Sequence, residues 1–171
     1  MDNILELSKI DHIEDKFEEV DIEKELESVK ENLSTLIEEK QIEMSFNFKG
    51  ISSIYTSKNL ISAVLENLIS NAIKYSDPDK NNRFVKIELS KEKVGSYIRV
   101  FDNGLGIPKK HMNEVFGMFK RFHKNTSFGS GLGLYIVKKN IQKIDGEISV
   151  ESDAGGTVFT IFLPEKLQSP N

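Results

Sequence analysis

The stretch from Asn67 to Ser76 reads Asn-Leu-Ile-Ser-Asn-Ala-Ile-Lys-Tyr-Ser, and it ends the long segment that decides the fold. Aliphatic side chains recur from Leu60 onward in two adjacent rows, which predicts a helix from about Ser57 to Tyr75. The two rows make one wide apolar face, and such a face has to be buried against a sheet or against other helices. This helix is therefore expected to contribute a broad stripe to the core.

A polar row runs beside that apolar face. Asn67, Asn71 and Tyr75 follow one another at intervals of four residues, and Lys74 lies close by. Asparagine carbonyl oxygens can coordinate Mg2+, which prefers hard oxygen ligands, and Lys74 could meet a phosphate as a point charge. The row indicates a ligand site, although ordinary residues at the boundary between core and solvent fit the same pattern.

Alternating apolar and polar residues predict strands on both sides of this helix, because successive side chains of a strand point to opposite faces. Strands are expected at residues 42–48, 51–55, 84–89, 97–101, 147–151 and 157–163. Turn residues around Gly95 and at Gly155–Gly156 predict that the last four strands pair as two antiparallel hairpins.

Two further helices complete the expected fold. One begins at an Asp21 N-cap and runs to about Lys40, and the other runs from Leu132 to about Ile144. We expect residues 21–171 to form one α+β domain. Its architecture would be a two-layer α/β sandwich, with a mixed, mostly antiparallel sheet covered on one face by three helices.

A second polar segment follows the strand expected at 97–101. It reads Asp102-Asn-Gly-Leu-Gly-Ile-Pro108, and its two glycines let the backbone pass close to a flat ligand. A carboxylate here would accept the exocyclic amine of adenine and would select against guanine, which presents an oxygen there. Ordinary turn chemistry explains Gly104 and Gly106 equally well, so this segment alone leaves both interpretations open.

A third feature is the glycine-rich segment Gly129-Ser-Gly-Leu-Gly-Leu134, which runs directly into the last predicted helix. Exposed N–H groups at a helix N-terminus attract anions, and glycines let phosphate oxygens approach the backbone. The glycine spacing differs from the dinucleotide-binding fingerprint, and no Lys-Ser/Thr pair follows the glycines as in a Walker loop.

A basic segment lies between the second and third features. Residues 107–126 contain one acid, Glu114, against five basic residues, Lys109, Lys110, Lys120, Arg121 and Lys124. A cationic cover over a phosphate loop would neutralise a triphosphate, and Phe116, Phe119 and Phe122 would anchor that cover to the domain. An amphipathic surface helix with a few lysines fits these residues as well.

In their order and spacing, these features resemble the GHKL superfamily of ATP-binding proteins over residues 22–164. The matching motifs are the N box at Asn67–Ser76, the G1 box at Asp102–Gly106, the F box at Phe116–Phe122, the G2 box at Gly129–Leu134 and the last glycine motif at Gly155–Thr157. The resemblance implies the Bergerat fold, with ATP held between the N-box helix and the cover.

The resemblance also implies individual roles. Asp102 would bind the adenine amine, and Asn71 would coordinate Mg2+ with Asn67 assisting. Lys74 and Arg121 would approach the phosphates, and together with the two asparagines they make the implied catalytic set. The remaining implied nucleotide contacts are Tyr75 near the adenine, Gly104, Gly106, Ile107, Phe119, Gly129, Gly131, Leu132, Gly133, Leu134 and Thr157.

The N box distinguishes between branches of the superfamily. Chaperone, topoisomerase, mismatch-repair and anti-sigma members resemble one another in a glutamate general base four residues before the Mg-binding asparagine. Here that position is Asn67, and the neighbouring Glu66 is turned about 100° around the helix. A neutral imidazole is already nucleophilic and depends less on such a base. The chain therefore resembles sensor histidine kinases most.

The acceptor histidine of such a kinase is not recognisable in this chain. His12, His111 and His123 lack the Ser-His-Glu/Asp setting of a dimerisation helix. Residues 1–20 are expected to be the tail of that helix and a charged linker. The expected partners are therefore a histidine-bearing dimerisation domain absent from this chain and a downstream response regulator, with the isolated domain monomeric and unable to autophosphorylate.

Composition excludes other classes of protein. The 171 residues include no cysteine and no apolar run of membrane-spanning length, so we expect no disulfide, no thiolate metal site and no membrane insertion by this chain. Nucleic acid is not an expected partner, and a cytoplasmic location is expected, with the parent protein's membrane anchoring left open. Two alternatives remain: a nucleotide-binding regulatory module without phosphotransfer, and a GHKL hydrolase with substantial ATP turnover.

Overall fold

The structure, a computed structural model, describes residues 16–120, 122 and 130–165. Along these residues the elements are β1 (Phe17–Asp21), α1 (Ile22–Asn32), α2 (Ser34–Lys40), β2 (Ile42–Lys49), β3 (Ser53–Ser57), α3 (Lys58–Lys74), β4 (Arg83–Glu92), β5 (Gly95–Asp102), a 3-10 helix (Lys109–Glu114), α4 (Gly133–Lys143), β6 (Glu147–Asp153) and β7 (Gly156–Pro164).

Five strands form the main sheet in the order β2-β4-β5-β7-β6. The β4–β5 and β6–β7 pairs are antiparallel, which confirms both predicted hairpins. The β5–β7 pair is also antiparallel, whereas β2 and β4 run parallel. A parallel pair needs a long crossover, and here α3 is the helix that makes it. The predicted mixed, mostly antiparallel sheet is confirmed.

The core lies between the sheet and the helices. Both predicted rows of α3 are buried, at Leu60, Ile61, Val64, Leu65, Leu68, Ile69, Ala72 and Ile73. They belong to one apolar cluster with alternate side chains of the central strands, among them Ile87, Ile98 and Ile161, which are fully buried. Val137 and Ile141 of α4 join the same cluster. The predicted two-layer α+β architecture is confirmed.

Asp21 caps α1 as predicted, since its Oδ1 accepts the N–H of Lys24 at 3.2 Å. The single helix predicted to follow it is wrong, because the chain forms two helices that meet at Leu33 with φ −98° and ψ 7°. No glycine or proline marks this break, so helical periodicity alone could not locate it.

The charged connector expected before Asp21 is also wrong from Phe17 onward. Residues Phe17–Asp21 form a strand that pairs antiparallel with Ser53–Ser57 in a separate two-stranded sheet. Val20 is buried in the core, and the Phe17 and Tyr55 rings lie 6.1 Å apart. The strand contains three acidic residues, so its sequence is typical of a solvated connector, and only pairing with β3 makes it a strand. The predicted domain boundary stays a prediction.

Candidate functional site

A cavity of about 380 Å³ opens between the C-terminal half of α3, the strand ends of β5 and β7, and the start of α4. The residues lining it come from every motif singled out in the sequence. They include Asn67, Asn71, Lys74, Tyr75, Asp102, Gly106, Ile107, Gly131, Gly133, Leu134 and Thr157. The folded chain therefore brings together residues that lie up to 90 positions apart in sequence.

Three other implied contacts lie beside the cavity and do not line it. A Cβ at Gly104 would stand 2.4 Å from the carbonyl oxygen of Tyr75, so this glycine packs the loop against the end of α3. Leu132 is fully buried, and 59% of Phe119 is exposed. Arg121 and Gly129 lie outside the described residues, and their implied roles stay predictions.

Asp102 ends β5 and faces the cavity. Its Oδ1 accepts the N–H of Gly104 at 2.8 Å. Burial raises the pKa of this carboxyl to about 6, while backbone N–H groups of Gly104 and Thr157 and the charge of Lys80 oppose the rise. At neutral pH the carboxylate is therefore ionised in most molecules, and it is a strong acceptor in poorly hydrated surroundings.

The two asparagines of α3 lie against the beginning of α4. Asn67 donates its Nδ2 to the carbonyl of Ala63 at 2.9 Å, which fixes the amide orientation. A Cβ at Gly133 would stand 2.9 Å from Asn67 Oδ1 and 3.8 Å from Asn71 Nδ2. Gly133 therefore lets the helix N-terminus and the amide row approach each other. This is the helix N-terminus at which the glycine-rich segment predicts an anion site.

Ser152 connects three backbone segments near Asp102. Its Oγ accepts the N–H of Ile107 at 2.8 Å, donates to the carbonyl of Gly156 at 2.9 Å and lies 2.9 Å from Thr157 Oγ1. Gly106 has φ +67°, and a Cβ there would stand 1.7 Å from the carbonyl of Asp153. The loop after β5 is thus closely packed on the end of β6.

Several residues of the cavity wall are not among the contacts that the sequence patterns predicted. They are Ala72, Val115, Ser130, Ile136 and Phe159. The apolar members belong to periodic or cover segments, and periodicity cannot separate a core position from a cavity wall. Ser152 and Lys80 belong to no sequence motif, and each lies near Asp102 only because distant segments of the chain meet there.

Lys120 lines the cavity, in agreement with a cationic cover. Its Nζ lies 2.8 Å from Glu114 Oε2, and this contact lowers the pKa of the Glu114 carboxyl. Phe122 also lines the cavity, and its ring lies 5.1 Å from that of His111. Two of the predicted cover residues are therefore held at the rim by neighbours from the same segment.

The model of the family of histidine kinase-, DNA gyrase B- and HSP90-like ATPases matches residues 56–167. This chain belongs to that family. The match includes α3, the cavity segments and both hairpins. The family predicted from the sequence motifs is confirmed.

Several relatives of this chain carry the name of sensor histidine kinases. The chain is 43% identical over 110 residues to sensor histidine kinase WalK of Bacillus subtilis, which covers 62% of this chain and 18% of WalK. It superposes with a TM-score of 0.79 and 25% identity on full-length ShkA in complex with AMPPNP, covering 96% of this chain and 35% of that one. It superposes with a TM-score of 0.73 and 25% identity on histidine kinase ThkA in complex with response regulator protein TrrA, covering 96% and 46%.

These similarities confirm two predictions: that the chain is a catalytic domain of the histidine kinase type, and that it has the fold of such domains. The chain spans less than a quarter of the length of the curated relatives that it matches first. Among the residues that the structure describes, no helix has the length and apolar character required to cross a membrane.

Proposed function

We propose that this chain binds Mg-ATP in the cavity and transfers the γ-phosphoryl group to a histidine on a dimerisation domain outside this chain. The observation that carries the proposal is a cavity with two chemically different ends. A half-buried acceptor carboxylate, Asp102, stands at one end, and two amides, Asn67 and Asn71, meet the N-terminus of α4 at the other.

The Asp102 end fits adenine. Its carboxylate can accept the exocyclic amine, while Ile107, Val115 and Phe159 supply apolar walls for a flat ring. A guanine would place a carbonyl oxygen against the carboxylate, and two acceptors without a proton between them repel each other. Adenine selectivity therefore follows from a single side chain in these surroundings.

The other end fits a triphosphate and a hard cation. Asn67 and Asn71 are one helical turn apart and can present amide oxygens, the ligand type that Mg2+ prefers. Lys74, Lys120 and the backbone N–H groups at the start of α4 can meet phosphate oxygens. Bound Mg2+ would neutralise charge on the phosphates as the transfer proceeds.

For the transfer step, this chain has mainly to position the γ-phosphoryl group and stabilise its charge, and it forms no covalent intermediate. A neutral imidazole nitrogen forms the new bond to the γ-phosphorus, and the bond from that phosphorus to the bridging oxygen of ADP breaks. Asn67 cannot accept a proton as a carboxylate would, which disfavours activation of water. The proposed activity is therefore transfer with little hydrolysis by the domain alone.

The partner proposals rest on the relatives. We propose the dimerisation domain of the parent kinase as phosphoryl acceptor and a response regulator as the next acceptor, supported by the likeness to ThkA bound to TrrA. The predicted cytoplasmic location and monomeric state of the isolated domain stay predictions.

Calorimetry with Mg-ATP and Mg-GTP tests the binding half of the proposal. We expect ATP to bind and GTP not to bind, with Asp102→Ala weakening ATP at least about tenfold because a charged hydrogen bond is lost. ATP binding that is indifferent to Asp102 would contradict the assigned adenine end.

Labelled phosphate transfer tests the catalytic half. Wild-type protein with radiolabelled Mg-ATP is incubated with a separately supplied dimerisation domain that carries its histidine. We expect label on that domain, and none when its histidine is replaced. Tight ATP binding without any labelling would favour a regulatory nucleotide-binding module, whereas steady ATP turnover by the domain alone would favour a hydrolase.

A further inference from the structure

The turn between α3 and β4 contains a lysine that none of the nucleotide-binding motifs includes. Lys80 donates its Nζ to the carbonyl of Asn103 at 2.7 Å and to the carbonyl of Gly155 at 3.2 Å. Asn103 directly follows Asp102, and Gly155 lies in the turn between β6 and β7. One ammonium group therefore joins its own turn to two segments that lie 23 and 75 residues further along the chain.

The two carbonyls belong to the segments that enclose the Asp102 carboxyl. In the β5–β7 pair, Asp102 lies opposite Thr157, whose backbone N–H donates to the carboxyl. A Cβ at Gly156 would stand 2.0 Å from the carbonyl oxygen of Asp102, so these strand ends are in close contact. Any separation of the two segments would change the donors around the carboxylate.

The backbone of Lys80 is itself held in place. Arg83 donates its Nε to the carbonyl of Lys80 at 3.0 Å and its Nη1 to the carbonyl of Lys40 at 2.7 Å. Asp77 Oδ1 accepts the N–H of Asp79 at 3.0 Å, which shapes the turn before it. The ammonium is thus presented from a fixed turn, and part of the entropy cost of its two hydrogen bonds is already met.

Several charged or titratable groups lie near Asp102. Lys74 from α3 and Lys120 from the cover line the same cavity, and Tyr75 lines it beside them. Asp153, at the end of β6, accepts the N–H of Gly155 at 2.6 Å. Burial raises the pKa of Asp102, and the positive charge of Lys80 opposes that rise.

We propose that Lys80 is a positioning residue for adenine recognition: its ammonium holds the Asn103 and Gly155 segments together and so keeps the Asp102 carboxylate in place for the adenine amine. The inference rests on the proposed function, because it takes adenine as the bound base. Lys80 acts through Asp102 and through two carbonyls, and it is not assigned a contact with the nucleotide.

The test uses three variants of the full chain. Lys80→Met removes the charge and keeps most of the length, Lys80→Arg keeps the charge, and Lys93→Met removes one positive charge from the distant, exposed β4–β5 turn as a control. The Asp102 carboxyl is titrated by carbon NMR without nucleotide, and Mg-ADP affinity is measured by calorimetry from pH 5.5 to 8.5.

We expect the Asp102 titration to move to higher pH in Lys80→Met and to stay near the wild-type position in Lys80→Arg and Lys93→Met. Mg-ADP binding by Lys80→Met should weaken about tenfold at pH 6.5 and recover part of that loss at pH 8.5, because higher pH restores the carboxylate. In an Asp102→Asn background, Lys80→Met should change the affinity by no more than about twofold, since the carboxylate whose position it supports is gone.

Two results would overturn the inference while the proposed function stands. One is an affinity loss in Lys80→Met that is equal at every pH with an unmoved Asp102 titration, which would show a structural role only. The other is unchanged affinity and titration in that variant. Failure of the wild-type protein to bind any adenine nucleotide would instead overturn the proposed function itself, and the inference with it.

Discussion

The two ends of the cavity are built in different ways. Around Asp102 the chain closes on itself, because Gly104, Gly106 and Gly156 each lie so close to neighbouring backbone that no Cβ would fit. Around Asn71 the close contacts involve side chains, since a Cβ at Gly133 would meet Asn67 Oδ1 at 2.9 Å, and Lys120 is paired with an exposed glutamate at 2.8 Å. The first end is shaped by backbone packing, and the second by side chains on the rim of a helix.

This difference indicates how substitutions should behave at each end. Changes at the backbone-packed end should alter stability and binding together, because the fold and the recognition group share the same contacts. Changes at the side-chain end should alter chemistry with little effect on the fold. Five predictions test this contrast, from the largest expected effect to the smallest.

Asn71→Ala should have the largest effect on activity. Losing a ligand of the cation is expected to lower phosphoryl transfer by about 10²- to 10³-fold, the usual cost of removing one preorganised group that stabilises the transition state. The thermal unfolding temperature should hardly change, since Asn71 lies on the polar row outside the buried face. Transfer assays and thermal unfolding measure the two effects.

Glu66→Gln is the matched control for that prediction. Glu66 is exposed on the same helix and does not line the cavity, so its loss should leave transfer near the wild-type rate. A large loss of transfer in Glu66→Gln would show that this carboxylate acts as a base, and it would weaken the contrast with the hydrolases.

Gly106→Ala should destabilise the fold most. Its φ of +67° is unfavourable for alanine, and the new Cβ would meet the Asp153 carbonyl at 1.7 Å, so we expect a loss of at least about 3 kcal/mol of unfolding free energy. Gly50→Ala separates the two causes, because Gly50 has φ +80° but no atom within 4 Å of its Cβ position. Chemical denaturation should show a smaller loss, about 1 kcal/mol, for that control. Equal losses in the two variants would show that backbone packing at Gly106 is unimportant.

Asp102→Asn should weaken nucleotide binding and stabilise the free protein. The folded-state pKa of about 6 lies above the ordinary 3.8, so the stability that this group contributes is complete below pH 3.8 and is lost as pH rises through 6. A neutral amide avoids that loss, and we expect Asn to raise the unfolding free energy by about 1–3 kcal/mol at pH 8 and by almost nothing at pH 4.

The same titration predicts a pH dependence for the wild-type protein. ATP binding needs the ionised carboxylate as acceptor, so affinity should fall as pH drops below about 6. The Asp102→Asn variant should lack this fall. Denaturation curves at several pH values and calorimetry check both statements, and a variant that is less stable at pH 8 would contradict the assigned desolvation.

Lys120→Met should have the smallest effect. Its ion pair with Glu114 is about half exposed on both sides, so its removal should leave the unfolding temperature unchanged. Nucleotide affinity should fall about two- to fivefold, and more at low salt, because an exposed cation acts on the phosphates through a screened field. The companion variant Glu114→Gln frees the same ammonium and should strengthen binding slightly. Opposite salt dependence in calorimetry would show that Lys120 does not act by its charge.

Most of the sheet and of the central helix could be predicted from the sequence. The rows of α3 and the alternation of β4, β5 and β7 repeat within a few residues, so their periods show which faces are buried. The strand at Phe17–Asp21 could not be predicted in this way. Its acidic residues obscure the alternation, and its partner lies more than 30 residues further along the chain.

The residues of the candidate site also fall into a group that local sequence patterns predict and a group that they do not. Asp102, the asparagine row and the glycine segments are short local patterns, so the sequence by itself determined the kinds of chemical group that this domain carries and their order. Lys80 and Ser152 follow no local pattern, and only the tertiary structure decided that they stand beside Asp102. Strand register brings those segments together, and register depends on packing between distant parts of the chain, which no window of neighbouring residues contains.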